Sequence, residues 1–107
     1  ELMTMILEGE YRVLNARSGL EAWRVLDGTR IDIILMDISL AGKQTGVELT
    51  QEIRLSPAHR AIPIIAVTAH AYDRDREHCL DAGCDDFIRK PISSEVLRQR
   101  MRQLLAR

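Results

Sequence analysis

The chain has 107 residues, 46% hydrophobic and 29% charged, and its 15 basic and 16 acidic side chains leave a formal charge of −1. This size and mixture describe one domain with a single core, and they exclude a disordered chain and a general nucleic-acid binder. The apolar run at 33–36 is far too short to cross a bilayer and no charged-then-apolar leader opens the chain, so a cytoplasmic domain with no membrane or direct nucleic-acid partner is expected.

In chain order, Leu2, Met3, Met5, Ile6 and Leu7 do not alternate, which favours the end of an amphipathic helix stopped by Gly9 over a strand. Residues 11–16 read as a short, weak strand. Ser18 is placed to cap a helix carrying Leu20, Trp23 and Leu26, with Trp23 packing in the core. Residues 31–36 are almost continuously apolar and β-branched, as expected of a strand covered on both faces, and Asp37 closes it. Val47, Leu49, Ile53 and Leu55 recur at helical spacing after Gly46. A second strong strand at 62–67 is closed by Thr68, and a weaker one at 86–89 by Lys90 and Pro91. Ser93 and Ser94 then cap a helix with Leu97, Met101, Leu104 and Leu105 on one stripe.

Strand–helix alternation predicts an α/β domain, a doubly wound parallel sheet with right-handed crossovers and its chemistry at the carboxyl ends of the strands. Asp37, Thr68 and Lys90 should therefore meet on one rim. A carboxylate there can attack a phosphoryl group to form an acyl phosphate, while an ammonium neutralises anionic oxygens and a hydroxyl donates to one. Alone, Asp37 would more often be a strand-end residue capping the next turn. The trio changes that balance, because phosphoryl transfer is mostly positioning and charge stabilisation.

Three ordered motifs carry a resemblance over essentially the whole chain. They are the strand ending Leu35-Met36-Asp37, the segment Val67-Thr68-Ala69-His70-Ala71, and the run from Gly83 through Asp85, Asp86 and Phe87 to Lys90-Pro91. Together they resemble the flavodoxin-like receiver domains of response regulators and hybrid histidine kinases, the latter more. The resemblance implies that Asp37 accepts the phosphoryl group, that Thr68, Ala69 and Lys90 bind it, and that Thr68 and Phe87 switch conformation. It also implies a cis bond between Lys90 and Pro91, and Mg2+ held in part by Asp37 and the backbone carbonyl of Ser39. The donor would be a histidine kinase or a histidine phosphotransfer protein. The domain is expected to be no enzyme beyond its own phosphorylation.

The chain departs from the family at its start. A receiver opens with a strand ending in an acidic pair that holds the metal, and neither precedes Leu2, so 1–107 reads as a receiver lacking its first strand. Asp37 and Ser39 alone carry too little charge to hold Mg2+ tightly. The alternative function is a receiver-like module for dimerisation or scaffolding without phosphorylation, through the last strand and helix or by exchange of elements. A phosphatase with an aspartyl nucleophile is disfavoured, because Ser39 stands where a second aspartate is wanted as general acid.

Several features take plainer readings. Cys79 and Cys84 match no redox or metal spacing and read as reduced, structural thiols. Gly42 to Gly46 lacks the first glycine of a phosphate loop, since Asp37 occupies that position. His59, His70 and His78 share no metal-ligand spacing, and Arg98, Arg100 and Arg102 read as a solvated helix face.

Overall fold

The computed structural model describes residues 11, 13–16, 19–37, 46–68 and 73–106. The described elements are α1 (Gly19–Gly28), β1 (Ile34–Asp37), α2 (Gly46–Leu55), β2 (Ile64–Thr68), α3 (Asp73–Ala82), β3 (Asp86–Arg89) and α4 (Ser94–Leu105). The strands pair in parallel in the order β1-β2-β3, with Ile34 opposite Ile64, Asp37 opposite Val67, Ile65 opposite Asp86 and Thr68 opposite Arg89.

All five residues of β2 are buried, because it has a strand on each side and helices over both faces. One face packs Ile65, Val67 and Ile88 against Leu97, Met101 and Leu104 of α4, with Ile92 beneath the turn into that helix. The other packs Met36, Ile64 and Ala66 against Leu26 of α1, Leu49 and Ile53 of α2 and Cys79 of α3. Alternate residues of each strand thus feed separate cores, as period-two geometry requires. The fold is the expected α/β arrangement.

β2 begins two residues later than its apolar run because Pro63 has no N–H to give to a ladder. Its carbonyl still contributes, accepting from Ile34 N–H at 2.9 Å. α4 starts as the caps predict: the Ser93 side chain accepts from Val96 N–H at 3.4 Å, Glu95 lies in the first turn and Arg102 in the last, where each complements the helix dipole.

One expectation needs correction. The strand expected at 11–16 is not seen among its described residues, since 11 and 13–16 belong to no strand. A strand is defined by its ladder, and no described strand lies beside this segment; Tyr11 and Val13 still pack against the α4-side core. Conversely, α3 is a helix no apolar stripe announced, because among its described side chains only Cys79 and Ala82 are buried. The helix expected before Gly9 and the Ser18 cap lie outside the described residues.

Trp23 is half-buried against the α2-side core and meets His59 edge-on, ring centroids 5.5 Å apart. His59 is fixed as well by Ser56 Oγ at 2.9 Å and by the Leu26 carbonyl, which accepts from Nε2 at 3.3 Å. Arg100 departs from the solvated-face reading: its Nη1 donates to both oxygens of Asp86 at 2.7 Å, tying α4 to β3.

Candidate functional site

The sheet register brings the ends of β1, β2 and β3 to a common rim. β1 ends on Asp37, β2 on Thr68 one residue beyond its partner Val67, and β3 passes through Arg89 to Lys90. Lys90 Nζ donates to Asp37 Oδ2 at 3.0 Å across 53 residues of sequence. Both side chains remain partly open, 38% exposed for Lys90 and 31% for Asp37, so a reactant could reach the carboxylate. At that exposure the pair adds only about 0.2–1 kcal/mol to stability. Its importance lies in placement.

Thr68 sits deeper, 1% exposed, and its carbonyl accepts from Lys90 N–H at 2.8 Å. That backbone bond sets where Lys90 leaves the sheet, and sequence reasoning alone did not supply it. The Lys90–Pro91 peptide bond is cis. Phe87 is half-buried and packs on the α2-side core, in register with Ala66 and two strand positions before Thr68's partner Arg89. Asp37, Thr68 and Lys90 therefore share the carboxyl end of a three-strand unit, and Phe87 stands nearer the amino end of β3, level with Ala66 and Met36. Ala69 and Ser39 lie outside the described residues.

A carboxylate with one ammonium against it is suited to taking up a phosphoryl group only if the added negative charge is met. Mg2+ seeks about six oxygen ligands, several of them water, anchored by one or two carboxylates. Among the described residues no group of three or more His, Cys, Asp or Glu could hold a metal, and Asp37 is the one expected ligand present. The described donor set by itself does not fit the ion.

Residues 1–102 match the family of the response regulator receiver domain. The chain belongs to that family. Among the receivers it resembles, it is 42% identical over 83 residues to the polar-differentiation response regulator DivK of Brucella anthropi, covering 78% of this chain and 67% of DivK. It is 35% identical over 89 residues to the sensor histidine kinase RcsC of Escherichia coli, covering 83% of this chain but only 9% of that kinase. Among solved structures it resembles the receiver domain of the sensor histidine kinase PA1611 of Pseudomonas aeruginosa, with TM-score 0.88, 36% identity, and coverage of 99% of this chain and 87% of that one. A histidine kinase receiver from Syntrophus aciditrophicus gives TM-score 0.86 at 35% identity, covering 98% and 80%. The PA1611 receiver carries a magnesium ion coordinated in its active-site cleft. This receiver domain is thus a component of two-component signalling, with relatives among both response regulators and histidine kinases. No helix among the described residues is long and apolar enough to cross a membrane.

Proposed function

We propose that Asp37 of this receiver accepts a phosphoryl group from a phosphohistidine of a histidine kinase or phosphotransfer protein in the cytoplasm. A carboxylate oxygen of Asp37 attacks phosphorus, the N–P bond breaks with its electron pair left on the imidazole nitrogen, and an acyl phosphate forms. The observation that carries this reading is the 3.0 Å contact of Lys90 Nζ with Asp37 on an open rim, beside the end of β2. Lys90 neutralises a phosphoryl oxygen, and the Thr68 hydroxyl and the Ala69 N–H donate to others. Phe87 then repacks as Thr68 moves, shifting the domain between two states. Mg2+ would be held in part by Asp37 and the backbone carbonyl of Ser39, and would neutralise charge on the phosphoryl oxygens. Residues 1–107 act as one domain.

The test uses the intact domain with Mg2+ and acetyl phosphate as a small phosphodonor, read by mass spectrometry. One phosphoryl adduct is expected in the natural sequence and none in Asp37→Asn. An adduct that persists in Asp37→Asn would move the acceptor elsewhere. Absence of any adduct in the natural sequence favours the module that dimerises or scaffolds without phosphorylation.

A further inference from the structure

Lys90 reaches Asp37 from a stretch of chain with little main-chain support. β3 ends at Arg89, and Lys90 N–H donates to the Thr68 carbonyl at 2.8 Å. The N–H groups of a strand alternate between its two sides, so the Arg89 N–H faces away from β2, and Pro91 has no N–H to give. Of residues 89–91, Lys90 alone can donate to β2. All three are exposed.

The residues on either side are not. Ile88 and Ile92 are both buried in the α4-side core, in one cluster with Val67, Leu97 and Met101. The exposed bridge that carries Lys90 is thus slung between two apolar anchors. Ile88 is fixed twice, because it also stands in the β3 ladder opposite Val67. Ile92 lies beyond the ladder and is seated by the burial of its side chain. The next residue opens α4: the Ser93 carbonyl accepts from Leu97 N–H at 3.0 Å and its hydroxyl from Val96 N–H at 3.4 Å. Leu97 and Met101 hold that helix in the same core, so α4 and Ile92 are docked as one piece.

A lysine carries its charge on a flexible four-carbon stem, so its meeting with a carboxylate depends on where the stem begins. We propose that Ile92 is a positioning residue for Lys90: its burial against α4 sets the turn after β3 so that Nζ stands 3.0 Å from Asp37 Oδ2. The placement stands on geometry. Its effect on phosphoryl uptake rests on the phosphoacceptor reading above. Misplacing a group at a reacting centre by about 1 Å can cost on the order of a hundredfold in rate, so loss of the anchor beneath the turn should be felt at Asp37.

Two readouts on the intact domain test this: the 15N resonance of the Lys90 ammonium, and the rate of adduct formation with acetyl phosphate and Mg2+ followed by mass spectrometry. In Asp37→Asn the ammonium loses its carboxylate, which fixes the direction of the resonance shift when the contact breaks. Ile92→Ala should move the resonance in that direction and slow the adduct at least about tenfold, while Ile92→Val should restore most of the rate. Because Ile92 acts through the ammonium, Ile92→Ala should add less than about twofold to the loss caused by Lys90→Ala. Leu104 lies in the same cluster at the far end of α4 and controls for mere loosening of the core. Leu104→Ala should leave the resonance in place and the rate within about twofold. An unmoved resonance in Ile92→Ala, losses that multiply with Lys90→Ala, or equal slowing in Leu104→Ala overturns the proposal. Should Ile92→Ala fail to fold, Ile92→Val decides through a smaller shift in the same direction, and no shift overturns the proposal. Absence of any adduct in the natural sequence counts against the phosphoacceptor reading and leaves the resonance to decide the placement.

Discussion

At Cys84 burial is the largest influence on the side chain's chemistry. Its thiol is pushed from 9.0 up to about 11, first by desolvation, with the Thr50 hydroxyl, 3.8 Å from the sulfur, pulling the other way. A thiol held protonated in the fold stabilises the fold below the unfolded pKa, and that stability is lost as pH rises between about 9 and 11. The loss should reach about 2–3 kcal/mol by the top of that window. Urea unfolding of the intact domain at pH 8 and pH 11 measures it, and Cys84→Ala should flatten the alkaline decline. Spacing marks Cys79 and Cys84 as structural thiols, and the fold buries both, unpaired by any disulfide, in the α2-side core. Asp37, Thr68 and Lys90 were legible for a simpler reason: each closes an apolar strand, and parallel strands end together.

At the scale of elements, the helices differ in how much of themselves the sequence displays. α4 carries an unbroken stripe of Leu97, Met101 and Leu104 and a serine cap, so its start and its buried face are both written in residue order. Its cap bond is long at 3.4 Å. Ser93→Ala should therefore cost near the low end of the usual range, about 0.5–1 kcal/mol, by the shift in urea midpoint at unchanged slope. α3 is the opposite case. It is held by hydrogen bonds from Arg54 and by its closing turn, and neither leaves a periodic mark. The segment at 11–16 failed the other way, since β-propensity describes a surface that fits a sheet and cannot supply the neighbouring strand.

For the whole molecule, stability is concentrated in β2, which lies against both cores. Ile65 is fully buried on the α4 side, and Ile65→Ala should cost about 2–5 kcal/mol in urea unfolding of the intact domain. Leu55, 82% exposed at the end of α2, is equally apolar, yet Leu55→Ala should change stability by less than about 0.5 kcal/mol. Composition treats these two residues alike. The amino-acid sequence by itself determined the alternation of strands and helices, the parallel sheet and the three rim residues, because these follow from local periodicity and from strand ends. The tertiary structure decided what depends on partners distant in sequence: the 3.0 Å approach of Lys90 to Asp37, the Thr68–Lys90 backbone bond, the Asp86–Arg100 pair, and Arg54 seated on Gly83. Each joins residues at least 14 positions apart, where no periodic pattern reaches.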